Sequence, residues 1–474
     1  MTLHERLTEE IRKGPRGPGV GAFFDLDQTL LAGFSAAAFF RERLFSGRMA
    51  PRDIAESLLG TLSFALGRTG FSGMMSATTA AYRGLAESML EEVGQEVFEK
   101  HLATQIYPES RALVRAHQEM GHTVAIISSA TRYQAEPLAR DMGIEHVLCT
   151  ELEVQGGAFT GNVVRPTCYG EGKAAAGREL AAGRGLDLAQ SYFYTDSHED
   201  LPLLEIVGNP RPLNPNRRLA QIAKERLWPV RRFSSRGRPS GGDLLRTGLT
   251  YASLAPAVWA GTAAGLLNGS RREAINVAGQ IWGDLATSLA GIDLRVEGEE
   301  HLWSHRPAVF IFNHQSGLDA VLMVKMLRRD ITGVGKKEIR SNPIFGPLFG
   351  AAGVVFVDRA DSRKAIRALE PAVEALRHGR SLVIAPEGTR SPTPRLKRFK
   401  KGAFHMAMQA GVPIVPVVFH NVLDAMPKDA IVVRPATIEA RVLPPIDTSG
   451  WTVETLDEEI RAIRNRYVEI LEGH

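Results

Sequence analysis

Cysteine is almost absent: the 474 residues include only Cys149 and Cys168. Two thiols cannot build a disulfide framework, and so scarce a supply fits a reducing compartment, although one buried pair would also be compatible. An apolar leader is missing too. The first nineteen residues, MTLHERLTEEIRKGPRGPG, are charged from the fourth onward and do not read as a secretory signal. Net charge is small, +4, and 44% hydrophobic with 23% charged residues is ordinary globular usage. Disordered and fibrous architectures are thereby excluded. At roughly 150 residues per domain, the length suggests about three domains and more than one sizeable core.

The small net charge is unevenly spread. Between Arg211 and Arg246 stand ten Lys and Arg against two Asp and Glu, so the remainder sums to about −4. Such a belt seeks phosphate, in nucleic acid or on an anionic membrane face. Its interleaved aromatics are only Trp228 and Phe233, which argues against nucleic acid. Within it, RRFSSRGRPSGG (Arg231–Gly242) reads as an exposed linker between two halves. Thr247 to Ser270 then carries no charge. It has about 24 residues, enough on paper to cross a hydrocarbon core roughly 30 Å thick. Its many Ala, Gly and Thr, with Pro256 in their midst, suit a buried helical hairpin or a segment dipping into one leaflet better than a span. The arginines just before it favour an anchor on the cytoplasmic side. Over Glu273–Leu289, Ile275, Ala278, Ile281, Trp282, Leu285 and Leu289 share one helical face, a stripe that core packing explains equally well.

Both halves alternate short apolar runs with helical patterns. GAFFDLD, TVAIISS and SYFYTD in the first half, and AVFIFNH, GVVFVDR, SLVIAP and VPIVPVVF in the second, read as buried parallel strands. Functional groups are expected where such strands end. In the first half Asp25 and Asp27 follow one strand, a carboxylate pair able to bind a divalent cation or share a proton. Ser128 ends the next strand, where its hydroxyl can donate to a phosphate oxygen. Lys173, in Gly170-Glu171-Gly172-Lys173, offers a fixed positive charge, and Asp196 and Asp200 form a second acidic pair.

In that order these four stations resemble the haloacid-dehalogenase-like phosphatases, in the branch that includes phosphoserine phosphatase, over about residues 19–230. The resemblance implies a Rossmann-like α/β core with a helical cap at about 33–105. It implies that Asp25 attacks phosphorus and that Asp27 protonates the leaving oxygen and later activates water. It also implies Mg²⁺ held by Asp25, Asp196 and the Asp27 carbonyl, with Asp200 in support, and phosphoryl oxygens bound by Ser128 and Lys173. One departure matters. Where phosphoserine-specific members carry a glutamate for the substrate's amino group, this chain has Phe34, which points away from phosphoserine and towards a more apolar ester.

In the second half, Asn313-His314-Gln315-Ser316-Gly317-Leu318-Asp319 follows a strand. A histidine is the usual base near neutral pH, and an aspartate five residues on can return on a helical turn to fix its tautomer. Gly353-Val354-Val355-Phe356-Val357-Asp358-Arg359 ends another strand with arginine, and Glu387-Gly388-Thr389-Arg390-Ser391 joins a glycine turn to Arg390. Arginine's planar fork suits phosphate. Lys397, Arg398, Lys400 and Lys401 add positive charge beyond.

These blocks, followed by VPIVPV, resemble the glycerolipid acyltransferases, particularly those acting on 1-acylglycerol 3-phosphate, over about residues 290–450. The resemblance implies His314 as the base, oriented by Asp319, taking the proton of a glycerol hydroxyl as it attacks an acyl-CoA thioester. It implies a substrate site from Asn313, Ser316, Arg359, Glu387, Gly388, Thr389 and Arg390, with VPIVPV lining either an acyl path or a core strand. The expected organisation is a phosphatase domain (1–230), a basic linker (231–245), a membrane-associating helical segment (246–290) and an α/β acyltransferase domain (291–474). The expected partners are lysophosphatidic acid, acyl-CoA and the cytoplasmic face of a membrane, held peripherally or monotopically, with no nucleic acid and with a homo-oligomer compatible. The alternative is acyl transfer to glycerol 3-phosphate or another polar alcohol beside a non-catalytic, regulatory first half.

Overall fold

The computed structural model describes residues 3–45, 70–342, 345–357 and 369–472. The chain divides into two compact units, Met1–Arg238 and Pro239–His474. The first unit contains strands β1 (Gly21–Phe24), β2 (Thr123–Thr131), β3 (His146–Thr150), β4 (Leu152–Gln155), β5 (Ala158–Val163), β6 (Tyr192–Thr195) and β7 (Asn209–Pro212). Five of them form a sheet in the order β3-β2-β1-β6-β7, all parallel, while β4 and β5 form a separate antiparallel hairpin. Alternation along β1 buries Ala22 and Phe24 in one apolar cluster and Phe23 in the other, so both faces of the sheet are covered. The order of strands reverses at β1, which opens a crevice beyond its carboxyl end. Asp25 and Asp27 stand there.

The expected cap region carries the helices Ser35–Phe45, Phe71–Thr79 and Glu87–Val97. Residues 46–69 of that region lie outside the described residues. The β4–β5 hairpin, which sequence reading does not anticipate, packs on the cap through backbone bonds from Gly84 and Glu87 to Phe159 and Gly157.

The linker reading needs correction at its start. Arg231 pairs with Leu213, Phe233 N–H donates to Asn214 Oδ1 (2.7 Å) and the Phe233 ring meets Tyr107 edge-on. Residues up to Arg236, itself buried, are therefore built into the first unit despite their Arg- and Ser-rich composition.

The second unit contains β8 (Ile292–Glu297), β9 (Val309–Phe312), β10 (Ile331–Lys336), β11 (Val355–Val357), β12 (Ser381–Ile384), β13 (Ile414–His420) and β14 (Ala436–Val442). Their order is β11-β10-β12-β9-β13-β14-β8. β14 runs antiparallel to β13, and the other neighbouring pairs are parallel. VPIVPV is thus a core strand between β9 and β14, buried from Ile414 to Phe419. The helix Leu456–Glu472 covers one face. Its Tyr467 hydroxyl, fully buried, donates to Ile311 O (2.8 Å) and accepts from Val417 N–H (3.1 Å), tying β9 to β13.

Three helices precede β8: Gly241–Ala252, Leu254–Asn268 and Arg271–Ala290. The first begins with a capping box between Ser240 and Asp243. Pro256 lies in the first turn of the second helix, where proline is tolerated. The second and third form a hairpin whose small residues set the spacing. A Cβ on Gly261 would come within 2.4 Å of Ala274 O, and one on Gly265 within 2.6 Å of Ala274 Cβ. The expected apolar stripe of the third helix is not its buried face. Leu285 and Leu289 are exposed, and the buried positions are Asn276, Gly283, Ala286, Thr287 and Ala290. Small side chains there let the helix approach its neighbours closely; Gly283 sits against the backbone of Lys325. Among the described residues no helix is long and apolar enough to cross a membrane.

Tyr467→Phe should leave Ile311 O and Val417 N–H without their partner. The expected cost is about 2 kcal/mol for buried polar groups so stranded, read as a melting temperature lower by roughly 4–8 °C. An unchanged melting curve would show that the tie contributes nothing.

Candidate active sites

In the first unit the sheet's carboxyl edge brings acidic groups and one lysine together. β1 leads into Asp25, whose N–H donates to Tyr194 O on β6 (2.9 Å). Lys173, buried near the start of the helix Glu171–Arg184, places Nζ 3.0 Å from Asp25 Oδ1 and 2.8 Å from Asp200 Oδ2. Burial alone would push its ammonium down, but Asp200 and Asp25 more than reverse that. Asp27 is clamped by Ser35, through N–H to Oδ1 (2.8 Å) and Oγ to Oδ2 (3.2 Å). Burial nevertheless raises its carboxyl to about 7, against those two bonds. Ser128 ends the regular part of β2, just before its pairing with β3 shifts, and is buried.

Asp196 follows β6 and is pushed up to about 8 by burial, then by the charges of Asp25 and Asp200. Among the described residues, no group of three or more His, Cys, Asp or Glu side chains stands close enough to hold a metal alone. The donor set still fits Mg²⁺, a hard cation that takes few protein carboxylates. Asp25 Oδ1 is buried with only the off-axis Lys173 ammonium (3.0 Å) against it, and Lys173 is set against three carboxylates. Two contributors were not singled out from sequence. Thr195 donates to Asp200 Oδ2 (2.6 Å), and Ser35 holds Asp27. The sole sequence signal for Thr195 is a hydroxyl directly before an acidic pair; Ser35 sits in a run read only as apolar.

In the second unit His314 follows β9, and the helix Leu318–Leu327 returns Asp319 to it. The ring Nδ1 lies 2.7 Å from Asp319 Oδ2. The same oxygen accepts the N–H groups of Gln315 (2.8 Å) and Ser316 (2.9 Å), so the carboxylate is fixed before any substrate arrives. Asp319 is sealed from solvent whereas the His314 side chain is 24% exposed. With Nδ1–H donating to the carboxylate, Nε2 is left as a proton acceptor.

Glu387, after β12, is also buried. Oε1 accepts His314 N–H (2.7 Å) and Oε2 accepts Lys397 N–H (2.8 Å), while burial raises its carboxyl. Asn313 exchanges two bonds with Phe419 on β13 (2.9 and 2.7 Å), and Ser316 Oγ accepts Leu318 N–H (3.1 Å). Asn313, Ser316 and Glu387, the substrate-site residues that the resemblance implies, all bond within or beside the histidine loop. Gly388 adopts φ +73, and a Cβ there would meet Lys400 at 3.0 Å. Thr389 follows it, half-buried, and Arg390 reaches Asp429 (2.7 Å). Arg359 lies outside the described residues.

Comparison with known proteins follows the same division. A family model described as haloacid dehalogenase-like hydrolase matches residues 22–205, and one described as Acyltransferase matches residues 293–420. A 1-acyl-sn-glycerol-3-phosphate acyltransferase of Limnanthes alba is 37% identical over 197 residues, covering 41% of this chain and 69% of the relative. A probable phosphatase of Mycobacterium tuberculosis is 34% identical over 230 residues, covering 46% of this chain and 80% of the relative. A phosphoserine phosphatase of the same organism is 33% identical over 226 residues, with 47% and 73% covered. The chain belongs to the haloacid dehalogenase-like hydrolases through its first unit and to the acyltransferases through its second, and is a fusion of the two.

Proposed function

We propose that the second unit transfers an acyl group from acyl-CoA to 1-acylglycerol 3-phosphate, and that the first hydrolyses a phosphate monoester of apolar character, the phosphatidic acid so formed. The observation that carries the first reading is the His314–Asp319 pair at 2.7 Å, held by backbone donors at a strand end. His314 Nε2 takes the proton of the glycerol hydroxyl as its oxygen attacks the thioester carbonyl. The tetrahedral adduct expels the thiolate, the C–S bond breaks, and the imidazolium returns the proton to sulfur. No acyl-enzyme is needed, since the acceptor alcohol is the nucleophile. Arg390, with Thr389 and the turn at Gly388, binds the acceptor's phosphate, and Arg359 is assigned to the same group by its motif.

In the first unit Asp25 attacks phosphorus and Asp27 protonates the leaving oxygen, a role that suits a carboxyl raised to about 7. Water activated by Asp27 then releases phosphate from Asp25. Lys173 and Ser128 hold the phosphoryl oxygens. Asp25, Asp196 and the Asp27 carbonyl would hold Mg²⁺, supported by Asp200; when bound, it neutralises phosphoryl charge. Phe34, 63% exposed beside the Ser35–Asp27 clamp, supports an apolar ester over phosphoserine.

Membrane attachment is supported by apolar side chains facing solvent on the helices before β8. Trp259 (77% exposed), Leu266 and Leu267 on the second helix join Leu244, Leu245, Leu249 and Tyr251 on the first. With the basic belt upstream, this suits a monotopic anchor on a cytoplasmic leaflet.

His314→Ala should lower acyl transfer by at least about 10³-fold and leave phosphatase activity intact, with Asp25→Asn doing the reverse. Equal loss of both activities in either variant would refute the division of labour. Given labelled lysophosphatidic acid, acyl-CoA and Mg²⁺, the wild type should show phosphatidic acid rising and then falling into diacylglycerol. Asp25→Asn should stop at phosphatidic acid. Accumulation without decline in the wild type would remove phosphatidic acid as the phosphatase substrate. Glu387→Gln turns an N–H towards a backbone N–H, and should cut kcat for acyl transfer about tenfold while changing KM little; a rise in KM alone would mean that Glu387 meets substrate directly.

A further inference from the structure

The parallel strands of the second unit have two ends, and the acyl-transfer residues occupy one. At the other, where the chain enters β10, β11 and β12, lies a cleft of about 360 Å³ lined by Arg271, Arg272 and Arg380 with Asn276, Asp330 and Gly353. Arg380 directly precedes β12 and Glu387 follows it. Four strand residues at about 3.3 Å each separate the two ends, more than about 13 Å. The cleft is therefore not part of the His314 site.

The three guanidinium groups are held in place by backbone carbonyls, Arg272 through Nη2 to Gly379 O (3.4 Å), and by Asp330. Arg380 Nη2 donates to Ile331 O (2.7 Å) and Ala352 O (2.5 Å). Arg271 Nη2 donates to Ala351 O (3.3 Å), and Arg272 Nε to Asp330 Oδ1 (2.5 Å). Asp330 is the one carboxylate among the described lining residues, and Arg329 outside the cleft shares it (3.3 Å). Gly353, with φ +76, leaves room for the arginine: a Cβ there would stand 2.7 Å from Arg380 Nη1. Gly353, the first residue of the Gly353–Arg359 block, thus opens this cleft. Positive charge is in excess, and the Nη1 groups of all three arginines have no acceptor among the described residues.

Guanidinium forks match phosphate oxygens. Three free Nη1 groups suit the three terminal oxygens of a monoester better than the two free oxygens of a diester. Across the turn at Gly269 from Arg271 stand Leu266 and Leu267, 81% and 86% exposed, so apolar chains and an anionic head can be met within a few residues. We propose that this cleft is a second phosphate site, distinct from the acyl-transfer site, which takes the monoester headgroup of an anionic phospholipid. The proposal rests on the reading of the preceding helices as the bilayer-facing surface.

Flotation of the full chain, in EDTA to silence the phosphatase, tests it. The vesicles are phosphatidylcholine doped with phosphatidic acid or, at matched surface charge, phosphatidylserine. The wild type should prefer phosphatidic acid. Arg271→Gln and Arg380→Lys each remove a guanidinium hydrogen bond to phosphate and should reduce that preference about fivefold or more, and Arg390→Ala should retain it. Arg271 is exposed, so its variant avoids the folding risk of Arg380→Lys, which a melting curve checks. Equal binding to both vesicles, or a preference that both cleft variants keep, overturns the proposal; so does a preference lost in Arg390→Ala alone. Combined Leu266→Asp and Leu267→Asp separates the two readings. If it releases the protein while the arginine variants change nothing, the anchor stands and the cleft falls. If no variant alters binding, both fall.

Discussion

Where a parallel strand ends, its last backbone N–H groups lose the partners that the sheet had supplied, and a buried donor left unpaired is costly. The second unit answers this with side chains at the carboxyl edge. Glu387 takes the N–H groups of His314 and Lys397, Asp319 those of Gln315 and Ser316, and Asn313 that of Phe419. The loop that carries the histidine is thus defined by acceptors it would need whether or not it did chemistry. Once the loop is fixed, the ring faces Asp319 and has little freedom left. Stability and readiness for reaction come from the same bonds.

The first unit meets the same edge with a different balance. Its carboxylates face a lysine and one another, so burial and mutual repulsion raise Asp27 and Asp196. Such a cluster is unfavourable in isolation and retained where its charge is used. Asp27 is joined to the cap by Ser35, which stands at the first position of the helix Ser35–Phe45. Whatever displaces that helix therefore acts on the Asp27 carboxyl as well.

The sequence made the central strands legible because β1, β2, β6, β9, β12 and β13 are apolar on both faces. The run at β11 was legible too, whereas β8, β10 and β14 were not. β8 alternates half-buried with exposed residues, β10 carries two glycines, and β14 mixes Glu and Arg with its apolar positions. These are strands covered less completely, where pattern alone is weak. The third helix before β8 misled for another reason: its large apolar side chains look like a core stripe, yet close packing selected Gly, Ala and Thr for the buried face. The His314–Asp319 pair was readable from spacing, since an aspartate in the first turn of a helix can fold back onto the loop just before it. The parts of Asn313 and Glu387 were not, because their partners lie 106 and 73 positions away.

Tyr467 carries a consequence for synthesis. Its hydroxyl closes contacts to β9 and β13 across 156 and 50 positions of chain. The first unit has all its strands by residue 212 and can fold while translation continues. The second must wait. Until the helix Leu456–Glu472 has left the ribosome, β9 and β13 expose an apolar face, and the exposed leucines and tryptophan upstream have already emerged. A nascent chain at that stage has two greasy surfaces and one finished domain, which makes the interval before residue 467 the period when it is most exposed to misassociation.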